Sequence, residues 1–425
     1  MKLIYVVIDG LGDLPIEELG NETPLGAADT PNMDFLARKG KTGLMYTVGK
    51  GIAPESDVGV ISILGYNPFK YGTGRGVLEA VGAGVSMRNG DLALRCNFAT
   101  LGRGGRIIDR RAGRDMTNEE GAKLSRSINE RVRLNSYPAD FELKTTVGYR
   151  AVLVIRSKAK PLSSKITNTD PAYKRLQKLG VVEKDAQMVL KQCEPTDKSD
   201  EAKFSAALVN EFTSKSHKVL DKHEVNKQRV AAGKLKVNVL LSRDAGNLLP
   251  EFFNINDHYR ASFVCLADMP VERGVAKLAG MSLVDLPPPS GDLKRDCLLR
   301  IKKLLEVMPM FDCFYVHIKG TDEPGHDGNF RLKQQLISII DKHFFGELLQ
   351  KIDLSNNVVC VTADHSTPCL LKAHSDDPVP VLVSGGKIKG DNIRKFSEKE
   401  CRKGSLGLLM HGTELMPRLI GFLRA

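Results

Sequence analysis

The sequence predicts an α/β protein in which a mostly parallel sheet is covered by helices on both faces. Three short apolar runs each end in acid: KLIYVVID stops at Asp9, FDCFYVHIKGTD at Asp322, and NNVVCVTADH at Asp364 and His365. Strands buried on both faces read as such continuous runs rather than as an alternation. Further runs, SFVCLAD, SLVDLP and VPVLVSG, alternate with helical stretches such as ERGVAKLAGM and KRDCLLRIKKLLEVM, and that βα alternation is the signature of a helix-covered parallel sheet. At 425 residues the chain is long enough for two or three units, taking about 150 residues for each.

In chain order, the start MKLIYVVIDG enters a strand directly, with neither the apolar stretch nor the cleavage site of a secretory leader. The segment GKGIAPESDVGVISILGYNP reads as a helix. Pro54 and the acidic Glu55 and Asp57 suit a helix N-terminus, and Val58, Val60, Ile61, Ile63 and Leu64 form an apolar run that ends at Gly65. Ser56 therefore sits in the first turn. The plain role of a serine there is to cap the helix; the sharper one is to carry a phosphoryl group, which free amides and the helix dipole both favour. YGTGRG reads as a tight turn.

From about residue 88 to 261 the pattern changes. DLALRCNFATL, the turn GRGGRIIDRRAGRD, a capped helix opening at Thr117 and DFELKTTVGYRAVLVIRS suggest an α+β insertion. The core is then discontinuous: residues 1–88 and 262–425 form it, and 89–261 are inserted. Inside the insertion, KSDEAKFSAALVNEFTSKSHKVLDKHEVNKQRVAAGKLK reads as an amphipathic helix with an exposed lysine face.

Net charge is +11, which fits either a nucleic-acid binder or an enzyme for small anions. No ribonucleoprotein aromatics, zinc finger or repeat accompanies the basic residues, which argues against nucleic acid. No apolar run reaches the ~18 residues of a membrane helix, so no membrane partner and a cytoplasmic location are expected. The eight cysteines are scattered without a CxxC pair and read as reduced, packed thiols.

The chemistry-bearing residues gather at the ends of the predicted strands: Asp9, Ser56, Asp322, His326, Asp364, His365 and His374. An Asp after a strand commonly caps the next helix, and a lone loop histidine commonly faces solvent. Three strand ends with Asp or His pairs are harder to dismiss together. In GTDEPGHDGN the glycines and proline are expected to make a tight loop that turns Asp322 and His326 onto one ion, whereas the adjacent Asp364 and His365 point to different sides. Ligands of α/β sheets collect outside the carboxyl ends of strands. Mixed carboxylate and imidazole donors suit Mn, Zn, Fe or Co, while oxygen alone would suit Mg or Ca.

The strings VVIDGLGDLP, TPLGAADTPNMDFLARKG, GIAPESDVGVISILGYNP, YGTGRGVLEAVGAG, NFATL, IIDRRAGR, HIKGTDEPGHDGN and VTADHSTP are together highly specific. By them the sequence resembles the cofactor-independent phosphoglycerate mutases of the archaeal type, in the alkaline phosphatase superfamily. The likeness runs from Met1 to about Asp115 and from about Phe263 onward; TNTDPAY also fits the family, while the lysine-rich helix matches nothing.

The resemblance implies an alkaline-phosphatase-like core and an isomerase of glycolysis and gluconeogenesis. It would interconvert 3- and 2-phosphoglycerate through a phosphoserine, with two divalent metal ions and no 2,3-bisphosphoglycerate. Manganese is the favoured ion, and zinc, cobalt or magnesium are the others. Carried onto this chain, Ser56 is the nucleophile; Asp9, Ser56, Asp364 and His365 hold one metal, and Asp322, His326 and His374 the other. Metal coordination lowers a serine's pKa, and phosphoryl transfer needs mainly positioning and charge neutralisation. Lys319 is a candidate for the transferring oxygens. Asp109, Arg110, Arg114 and Arg243, in DRRAGR and LLSRDAGN, are candidates for holding glycerate, since guanidinium forks match a carboxylate. The competing expectations are a metal-dependent phosphomonoesterase or phosphotransferase with another small substrate and, more remotely, a basic nucleic-acid-binding protein.

Overall fold

Lys2–Ile8 forms a strand near the middle of an eight-stranded sheet in the computed structural model, which describes residues 1–176, 179–183 and 186–425. Leu3 to Ile8 are all buried, as expected of a strand covered on both faces. Its neighbours Cys313–Ile318 and Asn357–Thr362 run parallel to it, and Phe263–Leu266 and Ser282–Leu283 continue the sheet in parallel on one side. On the other side Val379–Gly385 runs against its two neighbours, Asn357–Thr362 and Lys41–Met45, and Gly407–Leu409 closes the edge parallel to Lys41–Met45. The sheet is thus largely parallel, and helices Pro31–Lys39, Leu293–Val307 and Leu415–Arg424 pack against it. Register fixes the site: Val7 lies beside both His317 and Thr362. The residues that follow, Asp9, Lys319 and Asp364, therefore leave the sheet at one end.

This sheet belongs to the first of two units, made of residues 1–72, 252–268 and 275–425; the second comprises 73–251 and 269–274. The second unit is built on an antiparallel sheet in which Leu92–Leu101 pairs with Ile107–Asp109, Arg150–Ser157 and Val239–Gly246, and Ala139–Thr145 adds to Arg150–Ser157. Leu92, Leu94, Cys96 and Phe98 point into a large apolar cluster with Leu124 and Ile128 of helix Asn118–Arg131 and Leu208, Val209 and Phe212 of helix Asp200–Asp221. Ala93 points the other way, onto Val77 and Ala80 of helix Arg75–Gly82. A Cβ on Gly74 would lie 2.3 Å from the Ala245 carbonyl oxygen, so this helix start lies directly on the sheet. The division accordingly falls ahead of the helix, at residues 72/73, rather than at the 88/89 junction read from the sequence.

Thr117 opens its helix with a complete capping box to Glu120. The lysine-rich segment is two helices, Asp200–Asp221 and Glu224–Ala231. The break comes where the His223 imidazole accepts from the Val225 N–H and caps the second helix. Not all of its basic residues face water: Arg229 is buried, paired with Asp115 and Glu120 and donating to the carbonyls of Ala112 and Leu235. All eight cysteines are free and buried. No helix among the described residues is long and apolar enough to cross a membrane.

Candidate active site

Ser56 is the first residue of helix Ser56–Ile63, and the N-cap residue Glu55 makes no side-chain capping bond. The helix is apolar almost throughout, so burial rather than an amphipathic stripe fixes it. At Gly59 a Cβ would stand 2.3 Å from the Asp364 carbonyl oxygen; glycine is what lets the helix lie directly on the loop after Asn357–Thr362. The Ser56 hydroxyl, 8% exposed, faces His365 Nε2 at 3.2 Å and has no other hydrogen-bond partner among the described residues.

Around that imidazole stand two buried carboxylates. His365 Nε2 is 3.5 Å from Asp9 Oδ1 and 3.4 Å from Asp364 Oδ2. Asp364 Oδ1 accepts from the Gly10 N–H, and Asp9 Oδ2 lies 3.1 Å from Lys319 Nζ. Burial and the charge of Asp9 push the Asp364 carboxyl up to about 7. Burial would raise Asp9 too, but Lys319 and the neighbouring imidazoles hold it well below the ordinary carboxylate value. Among the described residues Asp9 Oδ1 and Asp364 Oδ2 find no hydrogen-bond partner, which is costly for buried carboxylate oxygens unless a cation meets them.

A second set lies alongside. Asp322 and His326 begin and nearly end the helix Asp322–Asp327, so they share a face through one helical turn; the tight loop read from the glycines and proline is replaced by this helix, since proline is tolerated in a first turn. His374 Nδ1 pairs with the Pro54 carbonyl at 2.8 Å and His326 Nδ1 with that of Lys372 at 3.3 Å. A carbonyl only accepts, so in neutral rings both protons sit on Nδ1 and both Nε2 atoms are bare. Those two atoms are 3.1 Å apart, and they lie 3.5 and 3.4 Å from Asp322 Oδ1. Three lone-pair donors converge with no proton between them, an arrangement that calls for a cation. Asp9, Asp364 and His365, and separately Asp322, His326 and His374, have the donor types and spacing of metal-binding groups. The His365 and His374 rings stack at 3.8 Å.

The second unit carries the arginines. Arg110 grips Asp170 with two bonds, Nε to Oδ1 at 2.9 Å and a terminal nitrogen to Oδ2 at 2.7 Å. Arg243 reaches the same Oδ2 at 3.0 Å, and both guanidiniums lie over the Tyr173 ring, at 4.9 and 4.4 Å. Arg95 lies opposite Arg243 in strand register and, with Arg75, pairs with buried Glu79. Asp244 lies beside Arg95 and Arg243. Of the other two candidates, Asp109 accepts from the Arg111 N–H in a local turn, and Arg114 is exposed at φ +58°.

Asp170, Tyr173, Glu79 and Arg95 were not singled out by the sequence, although TNTDPAY contains the first two. Thr367, between His365 and Asp322, lies within VTADHSTP but carries no sequence signal of its own.

The chain as a whole is similar to known proteins. Residues 37–226 match the family model described as 2,3-bisphosphoglycerate-independent phosphoglycerate mutase. Proteins of that name from Aeropyrum pernix and Methanopyrus kandleri are 39% and 40% identical, the first over the whole of both chains, the second over 96% of this chain and 93% of its own. Among solved structures, the cofactor-independent phosphoglycerate mutase of Thermoplasma acidophilum is 32% identical over the full length of both chains, with a TM-score of 0.63. A Pyrococcus horikoshii protein is 30% identical with a TM-score of 0.79, covering 100% of this chain and 97% of its own.

Proposed function

We propose a mechanism from one premise: the chain belongs to the 2,3-bisphosphoglycerate-independent phosphoglycerate mutase family. It is an isomerase that moves a phosphoryl group between the C3 and C2 oxygens of glycerate. In our reading the group rests on Ser56 in between. The bond from phosphorus to the C3 oxygen breaks as one to Ser56 Oγ forms; Ser56 gives up its proton and the C3 oxygen takes one. The C2 hydroxyl then attacks phosphorus and gives up its proton as the bond from phosphorus to Ser56 Oγ breaks, and Ser56 Oγ takes a proton back. The observation that carries this reading is the placement of Ser56. Its hydroxyl opens a helix and turns to His365 beside two buried carboxylate oxygens that find no hydrogen-bond partner among the described residues.

Asp9, Ser56, Asp364 and His365 would hold one divalent ion, and Asp322, His326 and His374 the other. Mixed nitrogen and oxygen donors suit manganese, zinc or cobalt alike; manganese is our assignment from the family resemblance, with zinc, cobalt or magnesium as the alternatives. Bound ions would supply positive charge that acidifies the serine hydroxyl and neutralises phosphoryl oxygens. The first-turn amides at Ser56 favour the negative charge placed there. Lys319, paired with Asp9 in the structure, is assigned to the transferring oxygens. Arg110 and Arg243, which converge on Asp170 and Tyr173, are assigned to the glycerate carboxylate, since guanidinium forks match a carboxylate.

The test is to incubate the purified protein and Mn²⁺ with 3-phosphoglycerate, without bisphosphoglycerate, coupling product to enolase. Phosphoenolpyruvate should form, and Ser56→Ala should abolish it while leaving thermal stability close to wild type. Product formation by the Ala variant would end the phosphoserine reading.

A further inference from the structure

The two ligand sets are joined by one side chain that neither of them includes. Thr367 is fully buried. Its hydroxyl lies 2.7 Å from Asp322 Oδ1, in one set, and 3.0 Å from His365 Nδ1, in the other. The direction of these bonds follows by elimination. A carboxylate only accepts, so the hydroxyl's single proton goes to Asp322; the bond to His365 must then carry the imidazole's own proton. A neutral His365 protonated on Nδ1 has a bare Nε2, the atom that faces Ser56, Asp9 and Asp364.

The hydroxyl is held in that position from several sides. The Thr367 N–H donates to the Gly12 carbonyl at 3.0 Å, and its own carbonyl accepts from Lys333 Nζ at 2.9 Å. Lys333 is itself wholly buried and paired with Asp13 at 2.8 Å. Gly10, at φ +60°, leaves room for the hydroxyl: a Cβ there would lie 2.7 Å from Thr367 Oγ1. Gly325 does the same for the carbonyl, since its Cβ would lie 2.4 Å from Thr367 O. The loops after Lys2–Ile8 and Asn357–Thr362 and the helix Asp322–Asp327 thus close around this one residue. A threonine that merely satisfied its own hydroxyl would need one acceptor. Here it has two partners, one from each ligand set.

We propose that Thr367 is a positioning residue that couples the two metal sites, fixing the orientation of Asp322 and the Nε2-bare tautomer of His365 through one hydroxyl. This rests on the two-metal reading above. Partners of this kind behind a ligand commonly govern metal affinity by ten- to a hundredfold. A shared partner should make both sites weaken together.

The experiment titrates metal-free protein with Mn²⁺ by calorimetry, for wild type, Thr367→Val, Thr367→Ser and Thr367→Ala, alongside nitrogen-15 spectra of histidine-labelled metal-free protein. Wild type should bind two ions. Thr367→Val should weaken both by about ten- to a hundredfold, and the His365 signal should lose its Nδ1-protonated signature. Thr367→Ser, which keeps the hydroxyl, should retain wild-type affinity to within about threefold and keep the signature. Wild-type affinity at either site in the Val variant would overturn the coupling. Should Val fail to fold, the Ser and Ala variants decide, because equal affinities in those two would overturn it as well. A wild-type protein that bound no divalent ion would instead remove the two-metal reading on which the coupling depends.

Discussion

Asp170 is the most heavily engaged acid of the second unit, and its ionisation should be visible in stability. Burial alone would raise its carboxyl, but the Arg110 hydrogen bonds and the Arg243 charge more than offset that and hold it below its ordinary value. A folded-state value below the unfolded one, about 3.9, gives stability that is fully present above that pH. It is lost as pH falls through the lowered value. Asp170→Asn should therefore cost on the order of 3 kcal/mol at neutral pH, where two arginines lose their counter-charge. The gap from wild type should narrow below about pH 4, as read by urea unfolding at several pH values; a gap independent of pH would contradict the assignment. Arg110 and Arg243 give a second prediction. Replacing either by alanine should let glycerate escape before the return transfer, raising the ratio of free phosphate to 2-phosphoglycerate. The lost charged contact, about 1.5–3 kcal/mol, corresponds to roughly ten- to a hundredfold in retention. Lys319→Ala should slow both outcomes together. An unchanged ratio in both arginine variants would return them to a structural part in the Asp170 cluster. These arginines were visible in the sequence as candidates because DRRAGR and LLSRDAGN concentrate guanidiniums. Asp170 was not, because a lone acid before a proline carries no periodic signal and its partners are 60 and 73 residues distant in sequence.

At the scale of elements, the strands were legible because burial on both faces leaves unbroken apolar runs, and the acids that end those runs marked the site's edge. The element carrying Asp322 and His326 was read as a loop because glycine and proline dominate it. The structure makes a helix there, with Gly325 required by the Thr367 carbonyl against it. The lysine-rich stretch hid its break, since a histidine cap resembles any other polar residue on a helix face. The same close packing supplies a prediction for the nucleophile's helix. Gly59→Ala puts a methyl 2.3 Å from the Asp364 carbonyl oxygen, and overpacking of this kind costs about 1–3 kcal/mol. Ser56 and Asp364 should be pushed apart, so activity should fall far more than the melting temperature, whereas full activity in that variant would mean that the helix does not set the Ser56 position.

In the whole molecule a largely parallel sheet carries two groups of candidate metal ligands at the carboxyl ends of its strands, beside the serine proposed to take the phosphoryl group. Chelation should remove activity reversibly, and elemental analysis of the restored enzyme should find two divalent ions per chain; turnover by a protein free of metal would defeat the metal assignment. The central claim is tested most directly by quenching the enzyme in acid during turnover of 3-phosphoglycerate labelled in its phosphoryl group, then mapping the label by peptide mass spectrometry. The account predicts labelled phosphate on Ser56, appearing before 2-phosphoglycerate accumulates and without added bisphosphoglycerate. Label on any other residue, or 2-phosphoglycerate formed at the wild-type rate by Ser56→Ala, would contradict it.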